Sequence, residues 1–267
     1  MGNAAPAATA GQSELLRIET SGPVLSVGLN RPAKRNALND GIILAIQHCF
    51  SNLPDEIAAV VIHGVGDHFS SGLDLSELTE QDATDGLRHS QMWHRVFDRI
   101  QYSRVPVIAA LRGAVIGGGL ELACATHIRV AEPSAYFALP EGQRGIFVGG
   151  GGSVRLPRLI GVARMTDMML TGRVYSATEG ASYGFAQYLT EEGNALAKAM
   201  ELAAQIAKNA PLTNFAVLQA LPMIAEANPQ TGLLMESLMA TVAQSDKEAK
   251  LRIRAFLDHK TAKVKPT

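Results

Sequence analysis

Val115-Ile116-Gly117-Gly118-Gly119-Leu120-Glu121-Leu122-Ala123-Cys124 is the stretch from which the rest of the chain can be read. A β-branched pair runs into three glycines, and Leu120, Leu122, Ala123 and Cys124 then turn inward on a helix. A helix N-terminus presents unpaired N–H groups and the positive end of the helix dipole, so it favours an anion. Glycines let those groups come close to a substrate. Glu121, in the first turn, is expected to be held ionised by the same dipole, which suits a general base. The competing reading is a tight strand-to-helix crossing that only happens to carry a favourable first-turn acid.

A second carboxylate follows twenty residues on, in Leu139-Pro140-Glu141-Gly142, ahead of Gly149-Gly150-Gly151-Gly152. Phe137, Leu139, Ile146 and Phe147 flank it, and apolar surroundings raise a carboxyl's pKa, so Glu141 can stay protonated and act as an acid. Its alternative is an ordinary ion pair with Arg144 or Arg155. Two carboxylates serve where one proton is delivered and another removed in one site. Upstream, His68-Phe69-Ser70-Ser71-Gly72-Leu73-Asp74-Leu75 carries a Ser-Gly turn at the carboxyl end of a strand, where α/β proteins place ligands. A backbone N–H there, with one from the glycine run, would make an oxyanion hole, each donor worth roughly 2.7–4 kcal/mol of barrier. The hydroxyls read as bystanders, because Gly-x-Ser-x-Gly is absent.

Working outward, short apolar runs alternate with longer periodic ones, the pattern of an α/β domain. Strands are expected at 24–29, 58–63, 106–111 and 128–131, and helices at 39–50, capped by Asn39 or Asp40, and at 86–100. Met165, Met168, Met169 and Leu170 recur at helical spacing and read as core. From 195 onward only helical patterns remain, at 195–209, 211–225, 231–244 and 245–260, with Ser245-Asp246-Lys247-Glu248 as a capping box. Leu233, Leu234, Leu238 and Met239 are more apolar surface than a lone helix carries, so this region is expected to pack on the core or on a neighbouring subunit. The division that follows is a disordered tail over 1–12, a core over 13–194 and a helical region over 195–267.

The 267 residues are 47% apolar and 18% charged with a formal net charge of -1, which supplies a core and gives no footprint for nucleic acid. Cys49 and Cys124 lie in apolar helical surroundings and read as reduced core thiols. Residues 1–12 lack the charge and apolar run of a secretory signal, and no stretch reaches the roughly 18 apolar residues of a membrane span. A cytoplasmic protein with no membrane partner is expected. His89 and His94 are five apart, no His-Glu-x-x-His pair occurs, and neither nucleotide-binding glycine motif is complete, so no metal and no redox cofactor are expected.

These segments together resemble the enoyl-CoA hydratase/isomerase (crotonase) superfamily. Asn30-Arg31-Pro32-Ala33-Lys34-Arg35-Asn36-Ala37-Leu38-Asn39 looks like its opening signature. The 69–75 loop, the 117–123 segment, Leu139-Pro140-Glu141, Gly149–Gly152 with Arg155-Leu156-Pro157-Arg158, and Leu170-Thr171-Gly172-Arg173 follow in its order. The resemblance covers about residues 14–260. It implies an α/β spiral of ββα units with a C-terminal helical region, assembled as a homotrimer or homohexamer, and no cofactor beyond a coenzyme A thioester as substrate. It places the oxyanion hole at the amides of Ser71 and Gly118, activation of water at Glu121, proton delivery at Glu141 and a water-holding amide at Gly149. CoA would be bound by Lys34, Arg35, Ala37, Leu38, Leu73 and Asp74. Retention of both glutamates points to hydration of a trans-2-enoyl-CoA to a 3-hydroxyacyl-CoA. The alternatives are an isomerase, a hydratase-lyase on an aromatic enoyl-CoA, an acyl-CoA hydrolase, or a silent CoA- or RNA-binding module. Two departures stand out. Phe147-Val148-Gly149 replaces the family's Ile-Pro-Gly and puts an aromatic near the acyl pocket, while Thr126-His127 replaces Cys-Asp, His127 reading as structural.

Overall fold

Val24-Leu25-Ser26-Val27-Gly28-Leu29 is buried at every position, because both faces of the strand it forms are covered. The structure is a computed structural model and describes residues 12–77 and 82–258. A short helix, α1 (Gln12–Leu15), leads into β1 (Leu16–Ser21), which pairs antiparallel with β2 (Val24–Leu29). α2 (Asp40–Ser51) begins at Asn39, whose side chain accepts a 3.1 Å hydrogen bond from the Ile42 amide, so Asn39 rather than Asp40 is the cap. β3 (Ala59–Gly64) and α3 (Ala83–Gln101) follow, then β4 (Val107–Leu111), β5 (Ala114–Ile116), α4 (Gly118–Ala125), β6 (Ile128–Ala131) and β7 (Tyr136–Ala138). The chain continues through α5 (Gly152–Ile160), α6 (Val162–Thr171), β8 (Tyr175–Ser176), α7 (Ala177–Tyr183), β9 (Tyr188–Leu189) and α8 (Ala195–Ile206).

The six-stranded sheet has the order β1-β2-β3-β4-β6-β9 and is parallel from β2 onward. A second sheet, β5-β7-β8, stands beside it. This is the α/β spiral of strand pairs and helices that the resemblance implied. The strands expected at 24–29, 58–63, 106–111 and 128–131 are present within a residue. β1, β7, β8 and β9 were not expected, and β5 only as the strand of the strand-to-helix crossing at the glycine run: β1 is exposed at five of its six positions and the others are two or three residues long, so none carries a sustained apolar period. Met165 and Met168 are buried as expected, but Leu170 is 76% exposed, on the outer face at the end of α6.

The expected boundary at 195 moves. One compact unit runs to Ala207, and a second begins at Lys208. α8 belongs to the first, because Ala195, Ala199, Leu202 and Ala203 pack on Val24, Ala59, Val61, Ile108, Ala110 and Val130 of the large sheet. Its alanine face lets the helix lie close over that surface. The second unit contains α9 (Pro211–Phe215), a π-helical turn at Ala216–Ala220, α10 (Leu221–Glu226), α11 (Pro229–Ser245) and α12 (Lys247–Leu257). The continuous helix expected over 211–225 is interrupted there because Pro222, in the first turn of α10, has no N–H for the carbonyl four residues back. The cap of α12 is Asp246, whose carboxylate accepts from the Glu248 and Ala249 amides, so the capping box expected from Ser245 is not formed. Residues 259 and 260 of that expected helix, and 1–11 of the expected tail, lie outside the described residues.

Candidate active site

Glu121 sits in the first turn of α4 and is 4% exposed. Its Oε1 accepts hydrogen bonds from the Gly150 amide at 2.9 Å and the Gly152 amide at 2.8 Å. Burial pushes its carboxyl up from the ordinary value, while the Gly152, Gly150 and Gly149 amides and Arg155 pull it back. The counterweight to desolvation is therefore the facing glycine loop rather than the helix dipole alone. A Cβ on Gly152 would lie 2.8 Å from Glu121 Cγ, so only glycine admits the carboxylate there.

Glu141 follows β7 and is 7% exposed. Its Oε2 is buried and finds no hydrogen-bond partner among the described residues. Burial raises its pKa to about 7, and the nearby charge of Glu121 adds to the rise. Pairing with Arg155 is ruled out by geometry, because that guanidinium is bound to Asp98 at 2.6 Å, to Gln101 at 2.6 Å and to the Gly150 carbonyl at 3.0 Å. Gly117 adopts φ +52, and a Cβ on it would meet Glu141 Oε1 at 2.6 Å. The first glycine of the run is thus what lets the second carboxylate reach the helix start.

Both carboxylates line one cavity of about 400 Å³, with Gly118, Gly149 and Gly150 on the polar side and Leu73, Trp93, Ile146, Phe147 and Val148 on the apolar side. Phe147 does stand at this pocket, 69% exposed. Among the expected donors Gly118 is at the cavity, but Ser71 is not. The Ser71 N–H donates to the Arg35 carbonyl at 2.9 Å, and its residue lines a separate surface hollow. The amide placed beside Gly118 is that of Leu73, 3.5 Å from where a Gly118 Cβ would stand. The bridge between Leu38 and Leu73 uses the Leu38 amide on Gly72 O (2.7 Å) and the Asp74 amide on Leu38 O (2.8 Å), so it does not engage the Leu73 N–H. Gly72, at φ +89, turns that amide toward the glycine run, and a Cβ on it would strike Ile116 O at 2.7 Å.

The surface hollow, about 440 Å³, is lined by Lys34, Arg35, Ala37, Leu73 and Asp74 among others. Leu73 lines both spaces, so one reads as the approach to the other. Asp74 is a tie within the wall: it accepts from Arg31 at 2.9 Å, Lys34 at 3.0 Å and Ser76 at 2.6 Å, and these partners, Ser76 first, hold its carboxyl far below the usual range against the cost of burial. Leu38 is fully buried and its N–H and C=O are bound to Gly72 and Asp74, so it supports the wall from behind. His127 is structural as expected: its Nδ1 accepts from the Val107 amide, and its Nε2 lies 2.9 Å from Gln101 O. Both cysteines are free, with burial pushing Cys49 up to about 11 and Cys124 up to about 12. Among the described residues no group of three or more His, Cys, Asp or Glu could hold a metal, and no helix is long and apolar enough to cross a membrane.

Comparison with known proteins gives the family of the chain. Residues 19–266 match the family described as enoyl-CoA hydratase/isomerase. The chain is 31% identical to the short-chain-enoyl-CoA hydratase of Clostridium acetobutylicum, over 90% of this chain and 94% of that one. A solved structure from Rhodopseudomonas palustris, provisionally named an enoyl-CoA hydratase, superposes with TM-score 0.92 at 78% identity, covering 97% of this chain and all of the other. A Thermobifida fusca protein, provisionally named likewise and solved in complex with CoA, superposes with TM-score 0.83 at 26% identity, over 90% and 97% of the two chains. The chain belongs to the enoyl-CoA hydratase/isomerase family and has the crotonase fold.

Proposed function

We propose that this enzyme hydrates a trans-2-enoyl-CoA to the 3-hydroxyacyl-CoA, and one observation carries the reading. Two buried carboxylates line the same cavity, one cradled by glycine amides and the other with an oxygen that has no partner among the described residues and a pKa near neutrality. The thioester oxygen accepts from the Gly118 and Leu73 amides, which takes the place of the Ser71 assignment. Glu121, ionised, removes a proton from water as the water oxygen bonds to C3, and the Gly149 amide helps to hold that water. The electron pair of the double bond moves through C2 to the thioester oxygen, giving an enolate that the two amides stabilise. Glu141, protonated, then delivers its proton to C2. Each turnover leaves Glu121 protonated and Glu141 ionised, and exchange with solvent restores the pair. Lys34 and Arg35, at the hollow that shares Leu73 with the cavity, meet the phosphates of CoA, with Ala37 and Asp74 framing the approach and Leu38 buried behind them.

The test is the loss of conjugated enoyl-thioester absorbance with crotonyl-CoA. Glu121→Gln and Glu141→Gln are each expected to lower kcat by about 10²–10⁴-fold with CoA affinity kept, whereas Lys34→Ala raises KM and spares kcat. Turnover retained in either glutamine variant removes that residue from its role. A wild-type enzyme inert on enoyl-CoA thioesters of every acyl length sinks the hydratase reading. The apolar surface of α11, with Leu233, Leu234 and Leu238 all more than half exposed, supports assembly as a homotrimer or homohexamer.

A further inference from the structure

The peptide that joins Gly149 to Gly150 is gripped from both ends. Its N–H, on Gly150, donates to Glu121 Oε1 at 2.9 Å. Its C=O, on Gly149, accepts a 2.7 Å hydrogen bond from the hydroxyl of Ser90, which projects from α3 into the same cavity. A trans peptide points its N–H and its C=O in opposite directions, so fixing one end aims the other. Both residues of this peptide are glycines, and neither side chain opposes rotation of the plane. Gly150 cannot be anything else, because a Cβ there would lie 2.9 Å from Phe97 Cε2 and 3.2 Å from Glu121 Oε2. The loop has therefore given up intrinsic stiffness where its orientation matters most. A rotated plane would present a carbonyl oxygen to the base in place of an N–H.

We propose that Ser90 is a positioning residue for hydration: by holding the Gly149 carbonyl it keeps the Gly150 N–H aimed at Glu121 and so keeps that carboxylate ready to accept a proton from water. This rests on the role of Glu121 given above. The Ser90 hydroxyl is bound to the Gly149 carbonyl and not to Glu121, and it acts through one peptide plane. The next plane is held independently, since Arg155 of α5 donates to the Gly150 carbonyl while bound to Asp98 and Gln101 of α3. The charged and titratable groups facing Glu121 are Arg155 from α5, Glu141 from the loop after β7, and Cys124 on α4 itself. On α3, His94 Nε2 lies 3.4 Å from Ser90 Oγ, and Asp98 faces away to Arg155. Replacing Ser90 removes none of these charges, so a change in the titration of Glu121 reports the peptide.

The experiment compares Ser90→Ala and Ser90→Thr with the wild type in two readouts. In the first, pH profiles of kcat and KM are taken with crotonyl-CoA. Ser90→Ala is expected to lower kcat about tenfold with KM little changed, and to move the acidic limb up by about one pH unit, the scale of one lost hydrogen bond to a charged group. Threonine, which keeps the hydroxyl, restores the limb. In the second, the side-chain carboxyl carbons of glutamate are labelled with ¹³C and titrated in resting enzyme, the Glu121 signal being identified by its loss in Glu121→Gln. That signal is expected to titrate at higher pH in Ser90→Ala than in the wild type. An unshifted Glu121 titration in the alanine variant overturns the proposal, as does a threonine variant that behaves like alanine. The second readout needs no turnover, so it judges Ser90 even if the enzyme proves inert on crotonyl-CoA, an outcome that would count against the hydratase reading instead.

Discussion

Glu141 holds an ionisable group where the fold opposes its charge. Its carboxyl rises from the ordinary 4.5 to about 7 because it is buried, and its Oε2 has no partner among the described residues. In the proposed hydration it is the acid and must be protonated, so turnover is expected to fall as pH rises through about 7. The same proposal requires Glu121 to be ionised, so the acidic limb is expected above the ordinary glutamate range, in the direction that burial moves it. For stability the sign is the same as for the acid's activity. The folded state binds the Glu141 proton more tightly than the unfolded chain, so that contribution is complete below pH 4.5 and is lost between 4.5 and about 7. The loss is about 3 kcal/mol at most. Glu141→Gln is therefore expected to be more stable than the wild type above neutrality, while Tm values converge at acid pH; equal Tm at pH 8 would refute the assignment. This residue was legible in the sequence, since Phe137, Leu139, Ile146 and Phe147 announce its surroundings. The Leu73 amide proposed as donor was not. Ser71 and Leu73 lie two apart in one loop, and what separates them is a hydrogen bond to the carbonyl of Arg35, 36 residues upstream.

At the scale of elements, α3 orders the site. Ser90, Trp93, Phe97, Asp98 and Gln101 all lie along it and meet the glycine loop, the start of α4 or Arg155. The sequence showed its apolar stripe and hence its presence, but a period reports which face is buried and not which polar side chain reaches across to another loop. The link through Arg155 is the part most open to measurement. Arg155 is nearly buried while Asp98 is half exposed, so Arg155→Met would leave the Gly150 carbonyl and Gln101 without a donor more than it would strand a charge. A loss of about 1.5–3 kcal/mol is expected in urea unfolding, with an unchanged denaturant slope. No change in midpoint would mean that the loop is held without this link.

On the scale of the whole molecule, the buried strands β2, β3, β4 and β6 were legible because parallel strands covered on both faces read as unbroken apolar runs. The strands that escaped notice are two or three residues long or, like β1, mostly exposed, and so leave little trace in the pattern. The boundary shifted because α8 has the helical pattern of the region after it and the packing of the region before it; its alanines say helix, but not onto what. If the exposed leucines of α11 are an assembly surface, light scattering will give a mass of three or six copies of the 28.3 kDa chain, and a monomer mass would remove that reading.

α8 also sets the order in which this protein can be made. Val24, Ala59, Val61, Ile108, Ala110 and Val130 lie well ahead of the helix that covers them. A ribosome building the chain from the N-terminus completes β2, β3, β4 and β6 while that face of the sheet has no lid. Until Ile206 has cleared the exit tunnel, the nascent chain carries a bare apolar surface, and that interval is when a chaperone has something to hold.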